Sequence, residues 1–191
     1  MAVTGNSAAV FLDKDGTLVE NVPYNVNPDR IRLAPGAVEA LRTMAAAGYR
    51  LFVVSNQSGV ARGLFREAAL AAVQARLKGL LEQHGLTLSG FYYCPHHPQG
   101  RVTDYATECN CRKPQPGLLL TAAGQHDIDL ESSWLVGDIL DDVEAGRRAG
   151  CATILLDNGH ETEWRMNPQR RPHHTVADLP SAARIIVEGR R

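Results

Sequence analysis

The chain has 191 residues, with 20 Lys and Arg against 21 Asp and Glu, a formal charge of −1, and 44% apolar residues. That length supports a sizeable core, and the apolar share excludes an intrinsically disordered chain. The mixed charge offers no basic face to nucleic acid apart from Arg170, Arg171, Arg190 and Arg191 near the end, and no apolar run is long enough to span a bilayer. Residues 1–7 lack the basic and apolar regions of an export signal, so a cytoplasmic location is expected.

Short apolar runs alternate with amphipathic stretches, a pattern that predicts a parallel α/β sheet in one domain over residues 1–191. Residues 8–13 read as a strand. Pro35 and Gly36 open a helix with Val38, Leu41 and Ala45 on one face, ending near Gly48. Residues 50–55 form a nearly continuous apolar strand, as expected where both sheet faces are covered. Residues 66–84 follow as a helix with Val73, Leu77, Leu80 and Leu81 at helical spacing. A short strand at 91–94 precedes a helix near 116–126, which Pro114 and Pro116 introduce. Residues 134–138 read as a strand, 141–150 as a helix stopped by Gly150, 152–156 as a strand and 181–188 as a closing helix. The polar stretch 159–174 has no period and reads as loop. No insertion is large enough for a separate cap domain.

Acidic and hydroxyl side chains stand at the predicted strand ends: Asp13, Ser55 and Asp138. Ligands of open α/β sheets sit outside the carboxyl ends of the strands, so these distant residues are expected to meet there. In Asp13-Lys14-Asp15-Gly16-Thr17, period-two alternation turns both carboxylates to one side. The pair suits one divalent cation and one carboxylate nucleophile, which is phosphoryl chemistry. Lys113 supplies fixed positive charge, and Ser55 a hydrogen bond. Asp141 reads as a helix-start acid, whereas Asp142 is open between that role and the metal shell.

A second constellation pairs Cys94-Pro95-His96 with Cys109-Asn110-Cys111. Three thiolates and one imidazole match a closed, structural zinc site spanning 94–111. His96 is taken as the ligand and its neighbour His97 as a supporting or surface residue. Cys151 stands alone in an apolar segment and reads as a buried thiol.

Asp13-Lys14-Asp15-Gly16-Thr17, Ser55, Lys113 and Gly137-Asp138 resemble, in order, the four motifs of the haloacid dehalogenase (HAD) superfamily of phosphatases. The resemblance implies a Rossmann-like, three-layer α/β/α fold around a central parallel sheet. It also implies Asp13 as nucleophile, Asp15 as general acid and then base, and Ser55 and Lys113 as holders of the phosphoryl group. Asp138 would complete a Mg2+ site with Asp13 and the Asp15 backbone carbonyl.

The segments 92–100, 109–114 and 55–63 are similar to those of the D-glycero-D-manno-heptose 1,7-bisphosphate 7-phosphatases. Twelve residues separate His96 from Cys109, matching that family better than the related histidinol-phosphate phosphatases, whose loop is shorter. The resemblance implies removal of the 7-phosphate to give heptose 1-phosphate, within lipopolysaccharide precursor synthesis. Arg112 would bind a distal phosphate or sugar oxygens, Asn21, Val22, Pro23 and Tyr24 would form a substrate flap, and Asn56, Gln57, Ser58 and Arg62 would line the pocket. A monomer acting on a small phosphosugar is expected, with no nucleic-acid or membrane partner. A histidinol-phosphate or general phosphosugar phosphatase is the nearest alternative; a polynucleotide 3′-phosphatase or an inactive zinc-stabilised scaffold are more distant ones. One departure stands out: the family commonly places lysine directly after the last aspartate, where this chain has Ile139.

Overall fold

Strands β1 (Ala9–Leu12), β2 (Arg50–Asn56), β3 (Gly90–Cys94), β4 (Trp134–Gly137), β5 (Ala152–Leu156) and β6 (His174–Val176) form one parallel sheet in the order β3-β2-β1-β4-β5-β6. The computed structural model describes residues 7–189; the expectation that residues 1–7 form no export signal, Ser7 apart, and that for Arg190 and Arg191 lie outside them. Helices α1 (Ala37–Ala46), α2 (Ala69–Glu82), α3 (Gly117–His126), α4 (Leu140–Ala149) and α5 (Leu179–Glu188) connect and cover the strands.

Alternation along the strands divides the core into two layers. Val10, Leu12, Leu51, Val53, Val136 and Ile154 pack on one face against Leu41 and Met44 of α1, Val73, Leu77 and Leu81 of α2, and Ile186 of α5. Ala9, Phe11, Phe52, Val54 and Leu135 pack on the other against Leu118, Leu119 and Ala122 of α3 and Ala145 of α4. The result is a three-layer α/β/α arrangement. The Phe11 and Phe52 rings, with centroids 5.5 Å apart, fill the centre of the second layer. Removing a buried ring of this kind costs about 3–5 kcal/mol.

The order places a topological switch between β1 and β4: the chain runs outward to β3, then returns to the other side of β1. The Asp13 N–H donates to Val136 O at 2.9 Å, so β1 and β4 remain paired where the first motif leaves the sheet. Residues 20–32 make an excursion above this point, closed by the Val19–Leu33 bridge and by Glu20 N–H to Arg32 O at 3.0 Å.

Three elements differ from expectation. On α1 the buried face is Ala37, Ala40, Leu41 and Met44, while Ala45 is exposed and Val38 half-buried; the helix leans against α5 and turns its small residues inward. The stretch read as loop contains a 3-10 turn at Pro168–Arg170, and β6 begins at its last residue. That strand was invisible to periodicity because His174 and Thr175 are exposed and only Val176 is partly covered, as suits a short edge strand.

Candidate active site

The turn after β1 carries Asp13 to Gly16, and Gly16 adopts φ +84°, a conformation that strains any residue with a Cβ. Space adds a second restriction: a Cβ on Gly16 would lie 2.1 Å from Asp138 Oδ2. The turn after β4 therefore presses directly on the turn after β1. Gly137 is restricted likewise, since a Cβ there would stand 2.3 Å from Asp142 Cγ.

Lys113 is fully buried between two carboxylates. Its Nζ is 2.6 Å from Asp13 Oδ1 and 2.5 Å from Asp142 Oδ1, and it donates to Val54 O at 2.9 Å. Burial alone would push the Lys113 ammonium down, but Asp13 and Asp142 outweigh it and hold the charge firmly. Both ends of the Asn56 amide are committed to the Lys113 backbone: Nδ2 donates to its carbonyl and Oδ1 accepts its N–H, each at 3.0 Å. The expected substrate-facing Asn56 is thus a brace under the lysine, because β2 ends directly beside that segment.

Gln57 is also committed. Its Nε2 donates to Ser55 Oγ at 2.8 Å and to Asp15 Oδ2 at 3.2 Å, joining the hydroxyl to the second carboxylate. Burial raises the Asp15 carboxyl above its ordinary range, against the lowering effect of the Lys14 ammonium that contacts it and together with the raising effect of Asp13.

Carboxylate oxygens of Asp13, Asp138 and Asp142 lie within 4.8 Å of one another, all buried. Burial, with Asp13 and Asp142 nearby, raises Asp138 to about 8; burial raises Asp142 to about 6. Three converging carboxylates with one ammonium are over-supplied with negative charge, which is the electrostatic demand that a hard, oxygen-ligated dication meets. Asp142, left open on the sequence, belongs to this cluster. Asp141 does not: it pairs with Arg170 at 2.6 Å and ties α4 to the 168–170 turn instead of serving the helix start alone.

The second cluster adjoins the first. Cys94, His96, Cys109 and Cys111 place their ligand atoms within 4.8 Å of one another. Cys94 Sγ is 3.5 Å from Cys109 Sγ and 3.7 Å from His96 Nδ1, and Cys111 Sγ is 3.4 Å from both Cys109 Sγ and His96 Nδ1. Zinc–sulfur bonds of ~2.3 Å in a tetrahedron set ligands roughly 3.7 Å apart, so the donor set fits that ion. Cys94 and Cys111 are closer, at 2.9 Å, yet well beyond a disulfide bond. This close Cys94–Cys111 contact lowers Cys111 to about 5, favouring the thiolate, and raises Cys94. Cys151 is buried and not among these ligands, and desolvation pushes its thiol to about 12.

His97 instead faces two guanidinium groups. Its Nε2 lies 3.0 Å from Arg62, and burial, followed by Arg112 and Arg62, lowers its pKa. Arg62 Nε and Arg112 Nη1 are buried donors without a hydrogen-bond partner. Ser58 is half-buried and its carbonyl accepts the Arg62 N–H at 3.0 Å. Within the 20–32 excursion, Asn21, Pro23 and Tyr24 are exposed and Val22 is half-buried; Tyr24, 51% exposed, takes φ +54°.

Sequence reasoning missed a third side of the crevice, the loop after β5. Asn158 Nδ2 donates to Gly16 O at 2.8 Å, His160 Nδ1 is 2.6 Å from Asp138 Oδ2, and Glu161 Oε2 accepts the Leu140 N–H at 2.7 Å. The available signal was Asn158-Gly159-His160 directly behind a buried strand, the position from which Asp13, Ser55 and Asp138 also emerge.

A HAD-hydrolase-like family model matches residues 110–182. The D-glycero-beta-D-manno-heptose-1,7-bisphosphate 7-phosphatase of Salmonella typhi is 38% identical over 183 residues, 91% of this chain and 94% of that protein. A crystal structure of a HAD-like phosphatase from Mesorhizobium loti shares 34% identity at a TM-score of 0.83, covering 97% of this chain and 88% of its own. The D,D-heptose 1,7-bisphosphate phosphatase of B. bronchiseptica, crystallised with magnesium and phosphate, shares 30% identity at a TM-score of 0.77, covering 95% of this chain and 99% of its own.

Proposed function

The chain belongs to the D-glycero-D-manno-heptose 1,7-bisphosphate 7-phosphatases of the HAD superfamily, and from that premise we propose that it removes the 7-phosphate by way of an aspartyl phosphate on Asp13. The observation that carries this reading is the buried contact of Lys113 Nζ with Asp13 Oδ1, at the switch between β1 and β4.

Lys113 occupies one oxygen of Asp13 and leaves the other for attack on phosphorus. The phosphorus–oxygen bond to the sugar breaks as the Asp13 oxygen bonds to phosphorus. Asp15, its carboxyl kept protonated to higher pH by burial, gives its proton to the departing sugar oxygen. The same carboxylate then takes a proton from water, which attacks the aspartyl phosphate, releases inorganic phosphate and frees Asp13. Ser55, oriented by Gln57, and Lys113, braced by Asn56, hold the phosphoryl oxygens. Asp13, Asp138 and the Asp15 backbone carbonyl, with Asp142 beside them, would hold Mg2+, which when bound would offset repulsion between carboxylate and phosphate.

The unpartnered donors of Arg62 and Arg112 suit the second phosphate, and the flap at Asn21, Val22, Pro23 and Tyr24 together with Ser58 suits the sugar. Zn2+ at Cys94, His96, Cys109 and Cys111 stiffens the segment that delivers Arg112 and Lys113. Thiols reserved for a metal suit a reducing compartment, which supports the cytoplasm. A monomer of one domain is part of the same reading. No helix of the described residues is long and apolar enough to cross a membrane.

The test is kcat/KM on heptose 1,7-bisphosphate against histidinol phosphate and simple phosphosugars, with 31P NMR of the product. The bisphosphate should be preferred by about 100-fold or more, because a substrate lacking the second phosphate leaves buried guanidinium donors unpaired. The retained phosphate should be on C1. Equal turnover of histidinol phosphate would contradict the assignment.

A further inference from the structure

We propose that His160 is a positioning residue for the cation site, fixing the carboxylate of Asp138 by a hydrogen bond from Nδ1. The inference rests on the reading of Asp13, Asp138 and Asp142 as the residues around a divalent cation, and goes beyond it by adding a residue that none of the four motifs contains.

Three observations carry it. First, His160 Nδ1 lies 2.6 Å from Asp138 Oδ2, with Asp138 buried and the imidazole 33% exposed. When Asp138 is ionised, as a cation ligand must be, its oxygens only accept, so Nδ1 is then the donor, one Asp138 oxygen is occupied and the other is left for a cation. Second, the pair abuts the first motif: a Cβ on Gly16 would be 2.1 Å from Asp138 Oδ2 and 2.5 Å from His160 Nδ1. His160 therefore stands where the β1 and β4 turns meet, not at the rim of the crevice. Third, its neighbours are pinned on both sides, Asn158 to the Gly16 carbonyl and Glu161 to the Leu140 N–H. The Glu161 carboxyl is pushed up by burial but held below its ordinary range by backbone N–H groups at Leu140, Glu163, Trp164 and Thr162, so it remains a charged anchor.

The residue after Asp138 strengthens the case. Ile139 presents an aliphatic side chain, and its N–H is turned to Asp142 Oδ2 at 3.3 Å. Position 139 thus has no side-chain donor for Asp138, and the loop after β5 supplies one from 22 residues downstream. Hydrogen bonds to metal-ligating groups orient them, and their loss typically weakens metal affinity 10–100-fold.

The experiment is a Mn2+ titration followed by electron paramagnetic resonance on the full chain dialysed free of magnesium. His160→Ala should raise the Mn2+ dissociation constant about tenfold. His160→Asn, whose amide nitrogen sits near the place of Nδ1, should recover most of the affinity; His160→Gln, with its nitrogen one bond farther out, should not. Melting temperatures without metal should be alike for all three. Wild-type affinity in His160→Ala, or an equal loss in the Ala and Asn variants, would overturn the proposal. Asp138→Ala serves as the reference for the site itself. Its loss of Mn2+ binding beside unchanged His160 variants would reject His160 alone, whereas its retention of binding would reject the cation site and His160 with it.

Discussion

Asp13 and Lys113 stand 100 positions apart and meet at 2.6 Å only because the sheet sets β1 beside β4 and β2, whereas four sulfur and nitrogen ligands meet within residues 94–111. One cluster is a product of the whole fold, the other of a local loop whose closure costs little entropy. The two nevertheless touch. Cys94 pairs with Asn56 across β3 and β2, the Gln57 N–H donates to Cys94 O at 2.8 Å, and Cys111 lies two residues before Lys113. Damage to the carboxylates should therefore remove chemistry and spare the fold. Damage to the thiolates should loosen the loop first and impair chemistry through Lys113 and Arg112.

Asp13→Asn would break this comparison most forcefully. It should reduce kcat by about 10^4-fold or more while the melting temperature changes little, because Lys113 keeps Asp142 as a buried partner. Residual turnover within tenfold of wild type would refute the nucleophile. Cys109→Ser has the opposite signature. Zinc content should fall, and the melting temperature should drop by about 6–12 °C, corresponding to a loss of about 3 kcal/mol in a chain of this size. A smaller decrease in kcat/KM, of about tenfold, should accompany it. Unchanged metal content and melting temperature would remove the zinc site.

Asp178→Ala lies outside both clusters and should give the smallest effect. Asp178 caps α5 by accepting the Ser181 N–H at 2.8 Å, and its bonds to Ser181 lower its carboxyl pKa. Loss of the cap should cost about 1 kcal/mol, with zinc content and kcat unchanged. Because the folded value is the lower one, this stabilisation is present above the unfolded pKa of ~3.9 and disappears as pH falls through the folded value. Wild-type and variant melting temperatures should therefore converge in acid; a constant difference down to pH 2 would contradict the cap's charge.

Much of the site was legible because its residues follow buried strands, where apolar runs ending in acids or hydroxyls stand out. Asp13, Ser55 and Asp138 were placed in this way, and the short spacing of the cysteines made the second cluster visible. Asp142 was harder, since its position near a helix start suits an N-terminal acid equally well; only the approach of Lys113 decides its surroundings. Asn56 and Gln57 were placed in the right neighbourhood, but their bracing bonds to Lys113, Ser55 and Asp15 depend on the β2 register. The loop after β5 left no trace in periodicity. Its contribution consists of isolated polar residues aimed at backbone groups and at one carboxylate from a distant turn, and such contacts carry no repeating pattern.

The central claim, that phosphorus passes through Asp13, is tested most directly by quenching the enzyme during turnover of heptose 1,7-bisphosphate and reducing the acyl phosphate with borohydride. Peptide mass spectrometry should then find homoserine at position 13 and unmodified aspartate at 15. Homoserine at Asp15 in place of Asp13, or no reduced residue in enzyme quenched during active turnover, would contradict the account.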